Sequence, residues 1–252
     1  MPKITKIQKL NVDSVEFSAP RQNKNNAGKT IFVRNSDDGN SLLIETPKMQ
    51  VPFGISSSLQ WEEKNNKNNK NGNTTGSNPP KYHLDLSFNK VDGIVFDQFQ
   101  ALEKELLDYA IENSEALFGE KKKEAVIEEF FTSSIKVSKP KDGNAYPARL
   151  KCKLLVNDKG EFNVGVYDGI THQQIQMTED NYQQVIPKGS EVKVILACSG
   201  WTVEKKFGLK WRAEQILVFP RTDKLNGFAF GKDDDDSDDG VTTIGFASDS
   251  DA

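Results

Sequence analysis

Two runs near the C-terminal end constrain this chain most. "SEVKVILACSGW" (190–201) and "KFGLKWRAEQILVF" (206–219) alternate apolar and polar positions, with a short polar break between them. A period of two predicts extended strands with one buried face, joined as hairpin arms. In the first run Val192, Val194, Leu196 and Cys198 form the core set, and Lys193, Ile195, Ala197 and Trp201 share the other face. In the second, Phe207, Leu209, Trp211 and Ala213 alternate with Lys206, Lys210 and Arg212. The aromatics suit a core face, yet the pattern leaves open which face of Trp211 meets solvent.

Further strand candidates are "TIFVRN" (30–35), "SLLIET" (41–46), "KMQVPFGIS" (48–56, interrupted by Pro52), "KYHLDLSF" (81–88), "SIKVS" (134–138), "ARLKCKLLV" (148–156) and "EFNVGVY" (161–167). "NDKGE" (157–161) reads as a turn. Residues 97–118 carry Phe99, Leu102, Leu106, Ala110 and Leu117 at helical spacing. Asp97 is the expected N-cap, Gln100 its capping-box partner and Gly119 the C-terminal stop. A second helix is expected over about 121–132, with Val126, Ile127, Phe130 and Phe131 apolar. "EEKNNKNNKNGNTTGSNPP" (62–80) has no apolar residue and reads as a disordered loop. The expected fold is therefore α+β and mainly β: a small closed antiparallel barrel with inserted helices. Residues 1–230 form one domain, with the loop at about 62–80 and the helical insertion at about 97–132. Residues 231–252 form a flexible acidic tail.

Charge divides along the same line. Residues 231–252 hold eight of the 37 acids and one of the 33 bases, leaving 32 bases against 29 acids, a net +3, in residues 1–230. The tail acids include Asp233, Asp234, Asp235, Asp236, Asp238 and Asp239. No phosphate-binding G-x-x-x-x-G-K-[ST], no H-E-x-x-H and no G-x-S-x-G occurs. His83 and His172 lie far apart and near no cysteine pair, so no zinc set is expected. Cys152 and Cys198 fall on core faces and read as buried thiols. If "DDDDSDDG" is aligned as a calcium loop with Gly240 sixth, Phe246 stands where the closing glutamate belongs. No catalytic constellation, metal or cofactor is expected. The N-terminus lacks a signal-peptide core, no run is long enough to span a bilayer, and two cysteines give no disulfide framework, so an intracellular setting is expected.

Basic strand faces recur beside aromatics. Arg149, Lys151, Lys153 and Leu155 line one face of 149–156, opposite the core set Leu150, Cys152, Leu154 and Val156. Phosphates need a cationic groove, and unpaired bases offer faces on which a flat ring stacks whatever the base. The candidate binding residues are Arg149, Lys151, Lys153, Lys193, Lys205, Lys206, Lys210 and Arg212 for phosphates, with Trp201, Phe207 or Trp211 for stacking. The acidic tail is a mimic of the nucleic-acid backbone and a rival for the same groove. The alternative is an acidic-tailed chaperone or scaffold for basic proteins, which leaves the basic strands idle.

The stretch "ILACSGWTVEKKFGLKWRAEQILVFP" (195–220) resembles the single-stranded-DNA-binding proteins of large nucleocytoplasmic DNA viruses. These are similar in turn to the replicative OB-fold protein of short-tailed coliphages. The matching positions are Gly200, Trp201, Phe207, Gly208, Trp211, Gln215 and Pro220. The resemblance implies an OB-fold with a helical insertion, single-stranded DNA in a basic-aromatic cleft, and work in viral replication, recombination and repair inside the host cell. It also implies a tail that contacts replication enzymes (polymerase, helicase or primase) and competes for the cleft. One feature departs: the phage-type tail ends on an aromatic, whereas here Phe246 precedes Ala252 by six residues.

Overall fold

A computed structural model describes residues 3–24, 28–58, 80–138, 146–157 and 159–219. The expected loop at 62–80 apart from Pro80, and Pro220 and the tail at 231–252 with its eight aspartates, lie outside them. The strands are β1 (Ile4–Lys6), β2 (Val15–Phe17), β3 (Arg21–Gln22), β4 (Lys29–Asn35), β5 (Leu43–Glu45), β6 (Met49–Val51), β7 (Ile55–Ser57) and β8 (Tyr82–Ser87). Helices α1 (Gly93–Glu112), α2 (Ser114–Phe118) and α3 (Glu124–Phe130) follow. Then come β9 (Ile135–Lys136), β10 (Arg149–Leu154), β11 (Gly165–Asp168), the single turn α4 (Tyr182–Val185), β12 (Ser190–Val203) and β13 (Lys206–Phe219).

Five strands close on themselves. β12 pairs with β6, β6 with β8, β8 with β10, β10 with β13, and β13 back to β12. Counting β6 as the first barrel strand, the order is 1-2-3-5-4-1, the closed Greek-key arrangement of an OB-fold. Four of these pairings are antiparallel; β10–β13 is parallel, because strands three and five of such a barrel run the same way. β4 and β5 extend the first strand along β12.

The long hairpin forms as its alternation predicts. Val192, Val194, Leu196 and Cys198 are buried, and so are Phe207, Leu209, Trp211 and Ala213. Beyond Ala213 the parity changes. A bulge shifts the register between Ile195 and Leu196, and the next buried positions on β13 are Ile216 and Val218.

Helices α1, α2 and α3 sit between the second and third barrel strands. The N-cap of α1 lies five residues earlier than expected: it is Asp92, not Asp97, its side chain accepting from Ile94 N at 3.1 Å. Val95 explains this, because it adds one more turn to the buried stripe of Phe99, Leu102, Leu106 and Ala110. The expected single helix also breaks at Asn113 before α2, which Gly119 ends with φ +82°. α3 buries Ile127 but leaves Val126 36% exposed, so Val126 is a surface residue and not part of a packed stripe. Among the described residues no helix is long and apolar enough to cross a membrane.

Cys152 and Cys198 are both buried, and burial pushes both thiols well above their ordinary range. The thiolate is the reactive form. Neither cysteine of the native protein is therefore expected to react with a chromogenic aryl disulfide, and both should react in denaturant. Fast reaction under native conditions would contradict this burial.

Candidate functional site

The outer face of the barrel can be followed from register. Residues opposite one another on paired strands share a face. Trp201 lies between Thr30 on β4 and Gly208 on β13, and Ser199 lies between Phe32 and Lys210. Arg212 lies between Ala197 and Lys153, and Lys153 faces His83. One curved surface thus carries an indole, a phenyl ring and several cations.

Part of this surface sinks into a cleft of about 450 Å³ whose lining includes Lys29, Lys136, Lys151, Lys153, Lys210 and Trp201. The indole is half-buried and its Nε1 donates to Leu209 O at 3.3 Å. Having Gly208 as cross-strand neighbour leaves room for that indole, since glycine brings no side chain. Lys29 Nζ donates to Ala116 O and Leu117 O, both at 3.1 Å, at the end of α2. Lys136 Nζ donates to Ser133 O at 2.7 Å. Lys151, Lys153 and Lys210 have no carboxylate within 4.0 Å among the described residues. Lys210 is pushed below its ordinary value by burial first, then by Lys153 and Arg212. With Lys153 and Arg212 as neighbours and no carboxylate within 4.0 Å among the described residues, the half-buried Lys210 ammonium would be relieved by an anion.

The floor is a buried hydrogen-bonded chain. Trp211 Nε1 donates to Ser134 Oγ at 3.0 Å. That hydroxyl and Ser134 N both donate to Glu103 Oε1, at 2.6 and 2.5 Å, and Ser133 Oγ donates to Oε2 at 2.7 Å. Glu103 stands on α1, so the helical insertion fixes the segment that floors the cleft. A buried carboxylate with these donors is satisfied and structural.

The predicted site residues divide accordingly. Trp201, Lys151, Lys153 and Lys210 are brought together at the cleft, and Trp211 reaches its lining from below. Phe207 and Trp211 are not available for stacking, a correction: they are 0% and 1% exposed. Phe99 meets Trp211 edge-on at 5.1 Å, and Phe118 and Phe131 hold Phe207 at 5.7 and 5.5 Å. The insertion covers this end of the barrel, so both rings became core. Arg149 is engaged rather than free: it contacts Asp85 at 3.4 Å and Ser138 at 3.2 Å, and stacks over Phe53 at 4.8 Å. Arg212 Nε donates to Glu214 at 2.6 Å. Lys205, beside Glu120, and Lys206 are exposed at the hairpin tip and do not line the cleft. Lys193 lies at the far end of the hairpin.

Sequence reasoning missed Lys29, Lys136 and Phe32. Phe32 is 37% exposed, with the Arg21 guanidinium 5.4 Å from its ring centre. Its signal was present: Ile31 and Val33 are core, so the residue between them must face outward. Lys29 and Lys136 carried no such signal, because only the tertiary fold brings them to β10 and β13.

No protein-family model matches the sequence, and no curated protein matches it. Among solved structures the chain is similar to the single-stranded-DNA-binding protein encoded by bacteriophage T7, at 15% identity and TM-score 0.42, covering 75% of this chain and 98% of that one. It is similar also to the single-stranded-DNA-binding protein of bacteriophage Enc34 in complex with single-stranded DNA, at 12% identity and TM-score 0.39, covering 82% and 97%.

Proposed function

We propose that this chain binds single-stranded DNA with little sequence preference and performs no catalysis. The observation that carries the reading is the cleft: lysines from four strands (β4, β9, β10 and β13), none with a carboxylate within 4.0 Å among the described residues, converge beside one half-exposed indole. Lys136, Lys151, Lys153 and Lys210 hold successive phosphates, Lys29 adds its charge, and Trp201 stacks on an unpaired base. A duplex hides its base faces and would forgo the ring. The biological setting we infer is viral replication, recombination and repair, at sites of DNA synthesis in the host cell.

The test is competition between oligo-dT and a duplex of equal length, repeated over a salt series. Oligo-dT should win clearly. Neutralising four phosphates gives log affinity against log salt a slope of about −3, at roughly −0.7 per phosphate on a single strand. Lys151→Ala with Lys153→Ala should bring the slope to about −1.4. A flat salt profile, or equal affinity for duplex, would reject the reading. Capture of histones with no capture of oligonucleotide would instead favour the basic-protein chaperone.

Eight acids in residues 231–252 supply a polyanion with the charge sign of DNA. We infer that it competes with the strand for the same lysines and, once displaced, is available to replication enzymes. Deleting 231–252 should tighten oligo-dT binding several-fold at low salt, with the difference shrinking as salt screens it. Equal or weaker affinity after deletion would rule out competition.

A further inference from the structure

The cleft beside Trp201 is one end of a longer surface. The outer face of β12 continues through Ser199, Ala197 and Ile195 to Lys193, all half-buried, so none is sealed under another element. Beside them on β13 stand Lys210, Arg212, Gln215 and Leu217. An Ile-Ala run on an outward strand face, flanked by cations, calls for a cover that the described residues do not provide. At its far end the surface sinks again, into a depression of about 400 Å³ lined by Glu45, Tyr167, Lys193, Ile195, Gln215 and Leu217, among others.

The chemistry of that depression differs from the first. Tyr167 on β11 lies opposite Leu217, and Ile195 lies opposite both Gln215 and Glu45. The Tyr167 ring with Val194, Ile195 and Leu217 gives apolar walls, and the His172 imidazole adds a second ring. Gln215, Glu45 and His172 supply hydrogen-bonding groups. A carboxylate repels phosphate but accepts from an exocyclic amino group, so the depression suits the edge of a base and not the backbone. Lys193 has no carboxylate within 4.0 Å among the described residues and is left to hold the flanking phosphate. The turn at the rim is preset: the Asp168 carboxylate accepts from Ile170 N at 2.8 Å and Thr171 N at 2.7 Å. Little ordering is needed when a ligand arrives.

We propose that this depression is a second base-binding subsite for the same DNA strand. The strand runs from Trp201 along the β12–β13 ladder, over Arg212, to a base seated against Tyr167 with its phosphate on Lys193. This rests on the single-stranded-DNA reading above. Trp201 and Lys193 are eight residues apart on β12, roughly 26 Å at about 3.3 Å per residue. That span needs several nucleotides and fits the roughly 4–16 that an OB-fold engages.

The experiment compares oligo-dC of about 4 and about 16 nucleotides, the two ends of that range. Tyr167→Ala should weaken binding of the long strand about tenfold and Lys193→Gln several-fold, with both variants binding the short strand as the parent does. Lys193→Gln keeps the test usable if Tyr167→Ala misfolds, as thermal unfolding would show. Unchanged long-strand binding by folded variants overturns the second subsite. So does an equal loss for both lengths. Trp201→Ala is run in parallel: if it weakens both lengths while the other two weaken neither, DNA binding stands and only the second subsite fails. If Trp201→Ala also changes nothing, the functional reading itself fails.

Discussion

Gly208→Ala is expected to lower the melting temperature by about 6–12 °C and to weaken DNA binding with it. Gly208 has an ordinary backbone angle, so conformational freedom is not the reason. A Cβ there would lie 2.2 Å from the carbonyl oxygen of Thr132 and 3.3 Å from its carbon. Both are backbone atoms and cannot swing aside. The 131–134 segment is pinned: Thr132 N donates to Phe207 O at 2.8 Å, and Ser134 is tied to Glu103 and Trp211. Overpacking usually costs about 1–3 kcal/mol. The upper value is apt where backbone must move, and about 3 kcal/mol is worth roughly 6–12 °C in a domain of this size. Because the displaced segment floors the cleft, affinity for oligo-dT should fall too. Gly93→Ala is the control, since nothing lies within 4 Å of its added Cβ, and it should melt within about 2 °C of the parent. If the two variants melt alike, the close approach at Gly208 is not there.

That contact also shows what the sequence could convey. Alternation along 190–201 and 206–219 gave the hairpin, its core residues and the outward position of Trp201, because strand faces follow from parity alone. The same parity could have given Phe32. It could not decide Trp211. Whether that ring meets solvent depends on Phe99, over a hundred residues earlier, and on the insertion folding across the barrel end. Phe207 was decided likewise by Phe118 and Phe131. The bulge near Ile195 was illegible because a run of apolar and polar letters has no mark where a ladder skips a residue. Asp92 and Asp97 are alike as cap residues by type, and only the burial of Val95 carries the helix back to Asp92. The lysines illustrate both outcomes. Lys151 and Lys153 were read as a stripe on one strand and line the cleft, whereas Lys29 and Lys136 join them only through pairings distant in sequence. Arg149 has the right parity but is drawn aside by Asp85, a cross-strand neighbourhood no linear pattern reveals.

Trp201→Ala is expected to reduce affinity for oligo-dT by about 5- to 150-fold, the range that corresponds to losing roughly 1–3 kcal/mol of stacking on one base. The indole qualifies on position: it lines the cleft, is half-buried, and is held at one edge by the Nε1 bond to Leu209 O. A ring fixed at its edge loses little freedom when a base settles on its face. Removing it costs the fold one hydrogen bond of about 1 kcal/mol and some packing over Gly208. The variant should therefore remain folded, with a modest loss in melting temperature. Trp201→Phe keeps a ring without the edge bond and should recover most of the affinity. Trp211→Ala offers the contrast: its indole is core and bonded to Ser134, so its loss should appear first as a folding defect of about 3–5 kcal/mol. Fluorescence separates the two. Added oligo-dT should quench the parent's tryptophan emission, and the quench should largely disappear in Trp201→Ala. A folded Trp201→Ala that binds oligo-dT as tightly as the parent would leave the lysines as the whole of the site and remove stacking from the mechanism.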